Sequence, residues 1–347
     1  MPTTYAIPDG RVAMAATLYT GTGASLAVAN TVNGVNFQPD FVWVKGRSGA
    51  TDHALYDSVR GTTKDLVSNA TSAETTQATG LTAFGSTGFT VGALAKMNTS
   101  AATYVGWQWK AGGTAVSNTA GSITSSVSAN TTAGFSVVTW TGTGSNATVG
   151  HGLGVAPSMI INKPRNAADN WMSWHTTLGA TGYIYLNLAV ASNTAASVWN
   201  STLPTSTVFS IGTSSNINTN GQTMVSYCFA PVAGYSAFGS YTGNGSADGP
   251  FVYCGFRPRW VMIKCSSSGG AGFEWELVDT SRNTSNVTNL VLYPNLSDAE
   301  GTASTAILDI TSNGFKLRGA ANIINASSAT YIFAAFAENP LKFSNAR

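Results

Sequence analysis

Apolar and polar positions along this chain keep a short beat. Short runs rich in Val, Ile and aromatic residues, at 41–45, 135–140, 159–162, 183–188, 225–229, 260–264, 290–293 and 331–336, are separated by turns of Gly, Asn, Ser and Thr. The period of an amphipathic helix is almost absent. Such spacing predicts antiparallel strands and an all-β fold of the sandwich or jelly-roll type. Prolines in F-Q-P-D, V-A-P-S and F-R-P-R fall where strands would begin, and there a missing N–H does no harm.

The beat is written three times. Y-T-G-T-G at 19–23, W-T-G-T-G at 140–144 and Y-T-G-N-G at 241–245 are each followed by an apolar run that opens on proline and ends on Lys45, Lys163 or Lys264. A second landmark is a Phe-centred run, G-F-T-V-G at 88–92, V-F-S-I-G at 208–212 and G-F-K-L-R-G at 314–319. A third is an asparagine (Asn98, Asn218, Asn325) before an aromatic-rich strand. The chain therefore reads as three tandem antiparallel β-sandwich, jelly-roll-like modules from an internal repeat. Repetition of this kind suits extended or multivalent surfaces more than a single asymmetric cleft.

At 347 residues the chain is too long for one core, and modules of roughly 100 residues match common domain sizes. An N-terminal arm is expected over 1–15, with modules at 16–115, 116–235 and 236–347. The Gly/Ser/Thr/Ala-rich stretch 110–134 marks the first boundary, with one strand over 123–128. The second boundary, 231–240, is shorter, so modules two and three should pack together and module one should be tethered more loosely.

Only 9% of residues are charged, so Ser, Thr, Asn and Gly must supply the polar surface. A net charge of +2 without a basic stripe argues against nucleic-acid binding. The first residues lack the basic and apolar regions of a signal peptide, and no apolar run is long enough for a membrane span. The odd count of three cysteines, without C-x-x-C spacing, disfavours a disulfide framework or zinc site, and Cys228 reads as a buried small apolar residue.

Candidate chemistry is sparse. Asp57 and Asp279 occupy equivalent places, each followed three residues later by arginine (Arg60, Arg282), and read as a turn clasp rather than a catalytic acid. Glu274 and Glu276 flank Trp275 on one strand face and read as an exposed polar face. His53, His151 and His175 are scattered, without the ligand spacing of a metal site. The G-T-G phrases lack the G-K-[ST] ending of a phosphate loop and read as turns. No catalytic residue, cofactor or metal is expected. Trp43, Trp140 and Trp260 read as core. Trp171 and Trp174, with Asn170 and His175, combine aromatic rings with polar groups and form the candidate glycan-binding cluster.

The phrases F-Q-P-D-F-V-W-V-K-G-R-S, H-A-L-Y-D-S-V-R-G, T-V-G-H-G-L-G-V-A-P, Y-T-G-N-G-S-A-D-G-P-F-V-Y, F-R-P-R-W-V-M-I-K and A-A-F-A-E-N-P span about 37–340. They resemble a family of bacteriophage virion proteins, loosely described as tail-fibre, tail or structural proteins, common in phages of aquatic and marine bacteria. The resemblance implies a virion component made in the host bacterial cytoplasm and carries over no catalytic residue. The function expected is a non-enzymatic tail-fibre or adhesin component that attaches to a host surface glycan or receptor. The alternatives are a capsid or tail decoration or adaptor protein and, further off, a polysaccharide hydrolase. Its partners would be other virion proteins and copies of itself, a trimer being favoured.

Overall fold

The computed structural model describes residues 5–32 and 34–339, so the first four residues of the expected arm and the chain from 340 onward lie outside the described residues. In the first repeat, Met14–Thr20, Thr103–Trp109, Phe41–Gly46 and Ala54–Asp57 form an antiparallel sheet in that order. The third repeats it with Ser236–Thr242, Thr330–Asn339, Arg257–Cys265 and Glu276–Asp279. In the second, Phe135–Thr141, Thr223–Phe229, Met159–Pro164 and Met172–His175 keep the same order inside a wider sheet. Ser125–Asn130 and Val116–Asn118 extend one edge of that sheet, and Gly182–Tyr185 and Asn193–Thr194 the other. A small sheet accompanies each large one: Leu26–Ala29, Gly88–Val91 and Leu81–Gly85; Ala147–Gly150 and Val208–Ile211; Phe251–Tyr253, Gly314–Leu317 and Leu308–Thr311. The protein is thus mostly antiparallel β-sheet arranged in several sheets.

Both faces of the large sheets are buried, which explains why their strands read as unbroken apolar runs. Along Phe41–Gly46, Val42 and Val44 pack with Val28, Phe89 and Val91 of the small sheet. The alternate residues Phe41 and Trp43 face a core shared by all three repeats. The second repeat divides likewise, with Ile160 toward its small sheet and Met159 and Ile161 toward the shared core. At the centre of that core meet Trp109, Phe229 and Phe336, the same position in three repeats. Their ring centroids lie 6.2, 5.7 and 5.7 Å apart, all in edge-on geometry. Module one is therefore packed as deeply as the others, not loosely tethered. The described part of the expected arm is packed too: Ile7 is buried, Asp9 caps the turn Gly10–Val12, and Met14 and Ala15 already pair with Trp109 and Gln108.

The glycine phrase and the landmark asparagine explain each other. Asn218 ends the short turn Ser215–Asn218. Its Oδ1 accepts the Thr143 N–H at 2.8 Å, its Nδ2 donates to the Ser145 and Gly212 carbonyls at 2.6 and 2.8 Å, and its own carbonyl accepts the Gly144 N–H at 2.8 Å. Asn325 repeats this on Asn244, Ser246, Gly319 and Gly245. Asn98 does so on Thr22, Ala24, Gly92 and Gly23. Gly144 has a φ of 73°, and a Cβ on Gly142 would sit 2.3 Å from the Thr219 carbonyl oxygen. Both glycines are thereby required.

Replacing Asn218 with Ala would strand one buried N–H and two carbonyls. A loss of about 2–4 kcal/mol is expected in urea unfolding, against less than about 0.5 kcal/mol for Asn146→Ala on the exposed part of the same loop.

Candidate functional site: the junctions between repeats

The chemically distinctive side chains converge on the seams between repeats, and each seam is built the same way. Two residues beyond each landmark lysine, a carbonyl receives an N–H from a neighbouring repeat: Arg47 from Glu300 at 2.9 Å, Arg165 from Glu74 at 2.7 Å, Ser266 from Ser192 at 2.9 Å. Six residues beyond the lysine, an N–H returns the bond: Thr51 to Ser297, Asp169 to Thr71, Gly270 to Ala189, at 2.8, 2.8 and 3.1 Å. The first repeat thus docks on the third, the second on the first, and the third on the second. The chain closes into a ring.

The lysines sit inside these seams. Lys45, Lys163 and Lys264 are fully buried, and each Nζ donates to a carbonyl across the seam: Ser297 at 3.1 Å, Thr71 at 3.2 Å, Ala189 at 3.3 Å. Each also donates to the carbonyl of the residue that follows it. Burial lowers all three ammonium groups to about 8. A ring N–H completes every seam: His53 Nε2 to Tyr293 O at 3.0 Å, Trp171 Nε1 to Val67 O at 2.8 Å, Trp275 Nε1 to Tyr185 O at 2.9 Å. Because the Trp43 indole N–H donates to His53 Nδ1 at 2.7 Å, that imidazole is the Nε2–H tautomer. Burial takes its pKa down to about 3.

The Asp–Arg pairs are turn clasps with an added reach. Asp57 accepts the backbone N–H groups of Val59 and Arg60 and pairs with the Arg60 guanidinium. It also accepts the Tyr227 hydroxyl of the second repeat at 2.8 Å. Asp279 does the same with Ser281 and Arg282 and accepts the Trp107 indole N–H of the first repeat at 3.0 Å. Glu74 joins Arg60 to Arg165, and Glu300 joins Arg282 to Arg47, so two seams carry ion-pair chains.

The candidate glycan cluster lies in this buried framework. Trp171 is wholly buried and spent on the seam; Trp174 is buried, with its indole N–H on the Gly179 carbonyl at 2.9 Å. His175 contacts Thr177 and, across a seam, the Phe333 carbonyl at 3.2 Å, and burial lowers its pKa to about 4. Asn170 is half-buried and accepts from Asn187 at 2.8 Å. Neither indole offers a face on which a sugar could stack. The sequence recipe fails here because rings on both-sided strands point into packing. Glu276 is also a correction: it is buried rather than on an exposed face, and neither carboxylate oxygen has a partner. Burial raises it to about 8, opposed by the Arg282 charge. Trp43, Trp140, Trp260 and Cys228 are buried as expected. Among the described residues no cluster of three metal-ligating side chains occurs, and no helix is long and apolar enough to cross a membrane.

The architecture is that of a mostly antiparallel β-protein organised into several sheets. Over residues 12–340 the chain matches a family described as a domain of unknown function, DUF7483, and it belongs to that family. No curated protein matches it.

Two pH effects follow. A lysine held at about 8 against an ordinary 10.5 is a depressed group, so its stabilising share is present above 10.5 and is lost as pH falls toward 8. Lys163→Met should therefore gain on the parent protein as pH falls from 10 to 8, read as the difference in thermal midpoints. Glu276 is raised from 4.5 to about 8, so its share is present below 4.5 and lost as pH rises to 8. Glu276→Gln should overtake the parent across that window by on the order of a few kcal/mol, measured by chemical unfolding at pH 5 and 8.5.

Proposed function

We propose that this chain is a non-enzymatic structural protein of a bacteriophage virion, made of three tandem jelly-roll-like β-sandwich modules. Its role is that of a tail-fibre or adhesin component for host-surface attachment, assembled in the bacterial cytoplasm with other virion proteins and with copies of itself. The observation that carries the reading is the ring. Lys45, Lys163, Lys264 and the Asp–Arg pairs, which a catalyst would turn toward a cleft, are consumed in fastening repeat to repeat. Exposed on the ring are the polar loops at 22–25, 143–146 and 244–248, each held by an equivalent asparagine clasp. Three similar loops on one chain suit multivalent attachment, in which weak individual sites add through effective concentration.

The second reading, a decoration or adaptor protein, is favoured by one feature: among the described residues no strand pairs with the outward edge at Leu18 or Ser240, whereas a linker strand pairs with the equivalent Thr139 of the second repeat. Purified protein should bind host cells, and a cryo-electron microscopy map of the virion should place it distally on a tail appendage. Absence of cell binding, together with a position flat against capsid or tail, would establish the adaptor reading. Release of oligosaccharide from host capsule would overturn both.

A further inference from the structure

Because the repeats share one strand order, a difference among them stands out. In the second repeat a stretch of linker, 121–126, lies along the side where the edges of its two sheets come together. The Thr148 carbonyl accepts the Ile123 N–H at 3.0 Å, the Thr148 N–H donates to Ser122 Oγ at 2.9 Å, and the Gly150 carbonyl accepts the Ser125 hydroxyl at 2.8 Å. The linker then continues as a strand, Ser126 opposite Thr139. Ile123 closes the gap, buried among Val127, Val138, Trp140 and Val149.

In the third repeat no strand among the described residues pairs with the same edges. Alternation along an antiparallel ladder leaves every second residue with N–H and C=O pointing away from its partner. Gly243 and Tyr235 bond inward to Ala329 and Ala337, so the backbone of Ser240 points out. Cys254 bonds inward to Asn313, so the backbones of Phe251 and Tyr253 point out as well. Ser240, Phe251 and Tyr253 stand where Thr139, Thr148 and Gly150 stand in the second repeat, and there the linker meets those outward groups.

Two further features single out the third repeat from the first. Ala27 and Ala29 hold the small-sheet positions in the first repeat, but Phe251 and Tyr253 hold them in the third, 47% and 65% exposed. Both edges, G-S-Y-T at 239–242 and F-V-Y at 251–253, lack the charge or proline that usually blunts a free edge. Nearby charges are already matched, Lys316 with Asp248 and Arg318 with Asp309, so nothing on this face calls for a charged partner.

We propose that this face of the third repeat receives an extended, uncharged segment of a partner polypeptide by strand addition. Backbone groups of Ser240, Phe251 and Tyr253 would take its N–H and C=O groups, and the two rings would cover its side chains. The linker sequence N-T-A-G-S-I-T-S-S-V-S, residues 118–128, defines the chemistry of the occupant, because it fills the equivalent face and carries no charge. The proposal holds whether or not the chain belongs to a virion, so failure of the attachment reading leaves it standing, and the reverse.

The test uses the full chain and a fluorescein-labelled synthetic peptide of residues 118–128, followed by fluorescence polarisation up to roughly millimolar protein, since a free peptide loses ordering entropy on binding. Saturable binding is expected, weakened at least about tenfold (about 1.4 kcal/mol) in the double variant Phe251→Lys/Tyr253→Lys and unchanged in Leu18→Lys on the first repeat. Ser240→Pro, which removes an outward amide from an edge strand, provides an independent second variant should the double variant unfold. No saturable binding, or binding that both variants leave intact, would overturn the proposal. So would self-association of the parent chain, lost in the double variant by sedimentation velocity, because the occupant would then be a second copy.

Discussion

The meeting of Trp109, Phe229 and Phe336 is the constraint from which the rest of the molecule follows. Each ring comes from the strand at the middle of its large sheet and reaches the others edge-on. Burying three large rings against Phe41, Trp260 and their neighbours contributes on the order of several kcal/mol through area alone. It also obliges each large sheet to turn one whole face inward. A sheet so placed must find cover for its other face, and the small sheets provide it. The pairing of each large sheet with a small one and the closed set of seams are therefore answers to one burial problem.

Hydrophobic burial is not directional, so something else must fix how each repeat sits on the next. The lysines do this. An ammonium group taken out of water costs several kcal/mol unless carbonyls surround it, and each of the three finds one of its carbonyls only across the seam. A repeat shifted along its neighbour would leave the charge buried and unpartnered. The indole or imidazole N–H in each seam works in the same direction with a smaller penalty. Once two seams have formed, the groups of the third are already held near each other, so each fastening supports the other two.

Much of this could be read in the sequence, though not its meaning. The three landmarks mark the glycine turn, the Phe-bearing strand of the small sheet and the asparagine that clasps the turn, and their fixed order matches their joint use in space. The lysine at the end of each apolar run was equally plain, but sequence spacing does not say that its partner lies in another repeat. Ring closure joins Lys45 to Ser297, a separation along the chain that no local pattern reveals. The same blindness misplaced the aromatic cluster. Trp171 and Trp174 stand among polar neighbours in sequence, yet one just precedes and the other lies within Met172–His175, a strand buried on both sides, whereas Phe251 and Tyr253, in a plainer phrase, emerge on an edge. Exposure of a ring depends on strand position in the sheet, and periodicity alone leaves that open.

Where the copies diverge, the divergence is ordered. The clasping asparagine (Asn98, Asn218, Asn325) keeps its identity, because one side chain satisfies three backbone groups at once, while the loop residues it holds vary, Thr22 and Thr143 standing where the third repeat has Asn244. Seam positions keep their geometry while changing chemistry: Arg47–Glu300 and Arg165–Glu74 are ion pairs, whereas Ser266 and Ser192 meet through a hydroxyl and a carbonyl. Here the backbone bonds set the contact and the side chains only reinforce it. Between the sheets the tolerance is narrower, and Glu276 tests it, standing without a hydrogen-bond partner where the first and second repeats have Ala54 and Met172. On the outer edge of the third repeat, at Phe251 and Tyr253, no strand among the described residues pairs with the chain from outside, whereas in the second repeat the linker does. Identity there is free to follow whatever touches the edge from outside, which is why the third repeat can carry two exposed rings where the others carry alanine, threonine and glycine.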